Sequence, residues 1–280
     1  GAIVVSPDNT YKIYDAANGL AGNKTRNFLQ LTNDMMAVGT DNGISFIKDQ
    51  KIVGNLGVDE GLANAKILCM YEQNGRIYAG TDGGGIAVIE NQKVKKIIRK
   101  ADGLSSDVVL RIKGDKENNG LFVITSNCLN YIDEEENIRQ LKEFLYYDNY
   151  DMIDGYDGSL WITSSAGIFI VDKEDLLDGG SIDYELLDSK KGLRENLTAN
   201  SWNYVDENNE LYLCGDQGII SINMKEYNNH RSSYRITLEN VAYDGGRINV
   251  DKEEDNIIGR DVVRVEFFPQ VINYSTSDPY

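Results

Sequence analysis

Apolar residues come in short bursts along this chain, and the bursts recur in sets about every forty residues. Lys66 to Tyr71 (KILCMY), Arg76 to Gly80 (RIYAG), Ile86 to Ile89 (IAVI) and Lys95 to Ile98 form one set. Their lengths and the turn residues between them suit strands, not helices. A set of the same form precedes it: Arg26 to Leu31, Met35 to Gly39, Ile44 to Ile47 and a short strand near Ile52. A third set runs through Val108 to Lys113, Leu121 to Ile124 and Leu129 to Ile132. A fourth holds Leu160 to Thr163 and Gly167 to Ile170, and a fifth holds Trp202 to Val205, Leu211 to Cys214 and Gly218 to Ile222. Ahead of them, Ala2 to Ser6 and Tyr11 to Tyr14 read as the last two strands of an earlier set.

Two short motifs keep the same period. Asn18-Gly19-Leu20 returns as Glu60-Gly61-Leu62 and Asp102-Gly103-Leu104, in steps of 42. Gly39-Thr40-Asp41-Asn42-Gly43-Ile44 returns as Gly80-Thr81-Asp82-Gly83 followed by Gly85-Ile86. Aligning Gly39, Gly80, Ile124, Thr163 and Cys214 gives steps of 41, 44, 39 and 51, and the longest step holds an insertion around Glu174 to Ser181 that reads as a helical turn. Four strands per forty-residue unit predict a β-propeller.

The expected fold is therefore all-β. Residues 1–14 supply the last strands of a preceding blade, and 15–232 supply five propeller repeats. After Arg231 the period stops, and Tyr234 to Val241, Arg247 to Val250 and Val262 to Phe268 are longer strand patterns. Residues 233–280 are expected to hold the last strand of blade five and the beginning of an immunoglobulin-like β-sandwich. The whole reads as a fragment of a larger propeller protein. In such arrays function sits on the surface that the repeats build together.

Composition narrows the function classes. The 280 residues carry 45 acidic against 28 basic side chains, a net charge of −17. Nucleic-acid binding rests on cations neutralising phosphates, so it is not expected. The three cysteines, Cys69, Cys128 and Cys214, are scattered with no CxxC pair, which predicts neither a disulfide framework nor a zinc site. No apolar run reaches the roughly 18 residues of a membrane span.

Candidate chemistry is sparse. His230 is the single histidine and sits in a polar stretch that supplies no triad partners. Asp151, Asp154 and Asp157 recur every three residues, not the two of a calcium loop, and read as a solvated strand end leading into an Asp-Gly turn. Gly83-Gly84-Gly85 lacks the Lys-Ser/Thr of a phosphate loop. Lys93, Lys95, Lys96, Arg99 and Lys100 make the one basic cluster, placed on an outermost strand where lysines protect an edge. No catalytic residue, metal or cofactor is expected. Aromatics gather in units four and five, at Tyr146, Tyr147, Tyr150, Tyr156, Trp161, Trp202 and Tyr204. Trp161 occupies a repeat-core position. Trp202 and Tyr204 begin the inner strand of unit five, so they are the candidate ligand-binding residues, because aromatic faces stack on sugar rings.

The unit G-L-S-x-x-x-V-x-x-I-x-x-D-x-x-G-x-L-W-I-x-T-x-x-G-I resembles the two-component regulator propeller repeat. Gly103 to Thr125 carries its first half, and Asp157 to Asp172, with Trp161, its second. Unit three departs with Phe122-Val123-Ile124, and unit four lacks Gly-Leu. The tail from Ile236 resembles the start of the Y_Y_Y domain that follows such propellers. The resemblance implies the extracytoplasmic, periplasmic sensing region of an inner-membrane bacterial receptor. It would recognise an oligosaccharide and act as a homodimer, tethered to the membrane through sequence outside these residues. Two alternatives belong to other classes: a propeller enzyme acting on polysaccharide, as lyase or glycosidase, and a scaffold propeller that binds proteins.

Overall fold

The computed structural model describes all residues except 145–146, 200, 230–234, 251–256 and 273–280. A hairpin of β1 (Ala2–Val5) and β2 (Tyr11–Tyr14) comes first. Blade one is β3 (Thr25–Gln30), β4 (Met36–Thr40), β5 (Gly43–Lys48) and β6 (Lys51–Leu56). Blade two is β7 (Ile67–Gln73), β8 (Arg76–Thr81), β9 (Ile86–Glu90) and β10 (Lys93–Ile98). Blade three is β11 (Val109–Asp115), β12 (Gly120–Thr125), β13 (Leu129–Ile132) and β14 (Ile138–Gln140). Blade four is β15 (Asp151–Asp154), β16 (Ser159–Ser164), β17 (Gly167–Asp172) and β18 (Tyr184–Leu187). Blade five is β19 (Tyr204–Val205), β20 (Glu210–Cys214) and β21 (Ile219–Asn223). Within every blade, strands adjacent in sequence pair antiparallel. These are the β-propeller blades that the forty-residue period predicts.

The repeated motifs now have physical roles. In Gly39-Thr40 and its copies, the hydroxyl of Thr40 donates to the Gly43 carbonyl at 2.9 Å, Thr81 to Gly85 at 2.8 Å, and Thr125 to Cys128 at 2.9 Å. Ser164 does the same to Gly167 at 3.0 Å. Each bond closes the turn between the second and third strands. Gly43 has φ +123°, and a Cβ there would lie 2.1 Å from the Leu56 carbonyl oxygen, so only glycine fits. The Gly-Leu motif follows a single 3₁₀ turn at Gly19, Gly103 and Gly192 and a hydrogen-bonded turn at Gly61, and it tips its leucine inward: Leu20, Leu62, Leu104 and Leu193 are all buried.

The core lies between blades. Phe46 and Ile44 of blade one pack with Met70 and Ala79 of blade two. Val88 and Tyr78 of blade two pack with Ile112 and Val123 of blade three. Phe122 and Tyr131 of blade three share a cluster with Ile162 and Phe169 of blade four. Trp161, fully buried, packs with Leu211 and Leu213 of blade five. Blades one to four thus bury both faces of their central strands, whereas blade five leaves one face open, with Tyr212 and Ile219 exposed. Every residue of β12 and β16 is buried, so their apolar runs are near-continuous instead of alternating.

Two helices interrupt the strand pattern, one in the insertion of the longest step and one at the end of unit five. The insertion in unit four contains α1 (Lys173–Asp178), capped where the Asp172 carboxylate accepts the Glu174 N–H at 2.8 Å. In unit five, α2 (Met224–Asn229) follows β21 where a fourth strand was expected. Met224 is buried, and Tyr227 meets Trp161 edge-on at 5.5 Å, so apolar burial against blade four favours the helical turn. Among the described residues blade five therefore has three strands, one fewer than the repeat predicts. The next strand, β22 (Arg235–Tyr243), pairs with β23 (Gly246–Asn249) and β24 (Val265–Ile272) in a separate sheet of order β23-β22-β24, with no pairing to β21.

Candidate functional site: the hub cavity

The first strand of each blade faces the hub. In β3, β7 and β11 the pairing register slips at the same place, leaving Arg26, Leu68 and Leu110 without cross-strand partners. These positions are 42 residues apart, one per blade. A bulge of this kind re-aims its extra residue. Here all three line one cavity of about 590 Å³, together with Asn149 of the approach to blade four and Trp202 of the approach to blade five. The volume lies within the ~300–1,000 Å³ usual for small-molecule sites.

The residue after each bulge points between blades and fastens onto the next inner strand. Asn27 donates to the Ile67 carbonyl at 3.3 Å, and the Cys69 thiol approaches the Val109 carbonyl at 3.9 Å. The third member of this series is Arg111, only 6% exposed, which forms an ion pair with Asp151 of blade four, Nε to Oδ1 at 3.0 Å. That approach is a charge contact, not a straight hydrogen bond. Asn203 donates to the other Asp151 oxygen at 2.9 Å, joining blade five.

Arg111 also holds the segment before β19. Its Nη2 donates to the Ser201 carbonyl at 2.7 Å, and its guanidinium carbon lies 4.1 Å from the Trp202 ring centroid. The Trp202 indole N–H in turn donates to the Arg26 carbonyl of blade one at 3.2 Å. One arginine and one tryptophan therefore tie blades one, three, four and five around the cavity. Trp202 remains 47% exposed. At the rim, Asp41 takes charge contacts from both Arg26 and Lys24, and the Arg26 hydrogen bond holds its carboxyl below the usual range. Asn149 is fully buried, and neither polar atom of its side chain has a hydrogen-bond partner.

Of the two candidate ligand residues, Trp202 lines the cavity and Tyr204 does not. Tyr204 lies on the open face of blade five, 65% exposed and stacked on Tyr212 at 6.3 Å. Tyr150 joins Trp202 at the wall, while Tyr147 stacks on Phe169 and Tyr156 lies under Lys225. Trp161 is core, as its repeat position predicts. The reading of Asp151 and Asp154 as a solvated strand end needs correction. Asp151 is buried on Arg111, and Asp154 is half-exposed between Lys113 and Lys173, at 2.7 and 3.0 Å. Lysines 93, 95 and 96 do fall on the edge strand β10, where Lys96 pairs with Glu136 of blade three at 2.6 Å. His230 and Tyr146 lie outside the described residues. Arg111 and Asn149 were not found by sequence reasoning. Among the described residues no group of three His, Cys, Asp or Glu side chains is placed to hold a metal ion, and no helix is long and apolar enough to cross a membrane.

No protein-family model matches this sequence, and no curated protein matches it. Solved structures do. The extracellular domain of BT3049, assigned to a hybrid two-component system of B. thetaiotaomicron, superposes with a TM-score of 0.68 at 16% identity, over 91% of this chain. The extracellular domain of BT4673 from the same organism gives 0.55 at 15% identity over 87% of this chain. This chain shares their fold. It spans only 34% of the first domain and 40% of the second. A catalytically inactive virginiamycin B lyase from Staphylococcus aureus, in complex with quinupristin, is also similar, with a TM-score of 0.56 at 14% identity over 80% of this chain and 77% of the lyase.

Proposed function

We propose that this chain is part of the extracytoplasmic sensing region of a bacterial signal-transduction receptor, and that it binds an oligosaccharide in the hub cavity. The observation that carries this reading is the placement of a half-exposed indole, Trp202, on the wall of a cavity lined from all five blades. A flat aromatic face beside polar side chains suits a sugar ring, which has an apolar face and a hydroxyl rim. The shared fold with extracellular domains of two-component systems supports the receptor context.

Signalling follows from the same geometry. Arg111 and Trp202 join four blades, so a ligand seated against them alters contacts across the hub. In a homodimeric receptor such a ligand shifts the balance of two arrangements only by its differential affinity for them. The enzyme reading draws on the lyase likeness, but the described lining residues include neither histidine nor cysteine. Thermal shift against an oligosaccharide panel tests the proposal: a stabilising sugar whose effect disappears in Trp202→Ala supports it. Cleavage of a glycan by the purified chain would replace it with the enzyme reading.

A further inference from the structure

Among the described residues, Asn149 is the one buried side chain of the cavity lining with no hydrogen-bonding atom partnered. It is 0% exposed, and both its Oδ1 and its Nδ2 lack a partner. A buried carboxamide in that condition loses its hydration without replacement, and such groups call for an explanation. It makes no inter-blade bond of the kind that Asn27 and Asn203 make. Its immediate neighbours in the chain, Asp148 and Tyr150, line the same cavity.

The charges around the cavity are balanced. Lys24 and Arg26 share Asp41, Arg111 is paired with Asp151, and Asp148 adds a further carboxylate to the wall. Three cations thus meet three carboxylates. No cationic excess is left for an anionic ligand, and the net charge of −17 repels one at longer range.

We infer that Asn149 is the specificity-determining residue of the hub cavity, and that it selects an uncharged polyol, pairing its carbonyl and amino groups with two adjacent hydroxyls. Each hydroxyl both donates and accepts, so a vicinal pair satisfies the amide at two points. Because the amide atoms expose almost no area, the pairing requires a side-chain shift at the wall. The inference rests on the proposed sugar site and adds to it the ligand's charge class and the residue that reads it.

The test is calorimetric titration of the intact chain and of Asn149→Leu. The probes are neutral manno-, xylo- and cello-oligosaccharides and oligogalacturonates of matched length. The wild-type chain binds a neutral sugar in preference to the uronates. Asn149→Leu, an apolar side chain of similar size, loses about tenfold or more in affinity, as the removal of two neutral hydrogen bonds implies. Its thermal midpoint stays level or rises, because an unpaired buried amide is gone; a merely structural asparagine would lower it. Preference for uronates would overturn this inference and leave the hub site standing, as would unchanged affinity in Asn149→Leu. If no oligosaccharide binds, the sugar site and this inference fall together.

Discussion

Arg111 lies over the indole of Trp202, its guanidinium carbon 4.1 Å from the ring centroid, although the two residues belong to blades three and five. The arginine is buried and the tryptophan half-exposed, so the stack leaves part of the indole open to the cavity. Arg111→Lys keeps the charge but loses the planar stack and the fixed fork of donors. It should destabilise the chain by about 1–2 kcal/mol. A double-mutant cycle with Trp202→Ala in urea unfolding should give a coupling of about 0.5–2 kcal/mol. Strict additivity would mean that the contact holds nothing together.

Asp151 faces the other side of Arg111. Asp151→Ala leaves a buried guanidinium without its counter-charge, a change that costs about 3–5 kcal/mol in comparable sites. Asp151→Asn preserves shape and the contact with Asn203, so its loss should be smaller. Chemical denaturation of both variants checks the ordering. Equal, small losses would show that the pair is solvated.

Burial pushes the Cys69 thiol up to about 12, against the milder lowering effect of the Arg111 charge. Cys128 and Cys214 are partly exposed. A thiol reagent applied to the folded chain near pH 8 should therefore modify at most two of the three cysteines, because the thiolate is the reactive form. Cys69 should react only after unfolding. Mass spectrometry of the labelled peptides reads this directly, and early labelling of Cys69 would contradict the packing of blades two and three.

Asp154 gives a pH signature. Burial pushes its carboxyl up, but the hydrogen bonds and charges of Lys113 and Lys173 outweigh burial and leave it below the usual range. A lowered native pKa means that the stabilisation is present at neutral pH and is lost as pH falls through the acid range, below about pH 4. Thermal midpoints measured from pH 6 to pH 2 should fall more steeply for the wild-type chain than for Asp154→Asn. Parallel curves would remove Asp154 from the account.

Much of this architecture can be read from local pattern. Gly43, Gly61 and Gly103 mark turns that need positive φ, and Leu62 and Leu104 mark the residues those turns bury. Such signals are short-range, so a single sequence displays them. The hub is different. Arg111 sits within an apolar strand and reads as an outward-facing cation, because its partners Asp151 and Trp202 are 40 and 91 residues away. Aligning Asn27, Cys69, Arg111 and Asp151 across units exposes a shared inter-blade position, which is the signal that would have found it. Trp202 and Tyr204 could not be separated by strand parity, which places residues two apart on one face. Trp202 precedes β19 instead of lying in it, so parity does not apply. Helix α2, which follows β21 in place of the expected fourth strand, was missed for a similar reason, since it owes its place to Met224 and Tyr227 packing on blade four.

The central claim is that the hub cavity, at Trp202, is the ligand site. The chain contains only two tryptophans, one fully buried and one at the cavity wall. Labelling both with fluorotryptophan therefore gives two fluorine resonances, assigned by Trp202→Phe. Titration with a neutral oligosaccharide that binds by calorimetry should move the Trp202 resonance in a saturable way and leave Trp161 nearly unmoved. Calorimetric binding with the Trp202 resonance unchanged would place the ligand elsewhere and contradict the account.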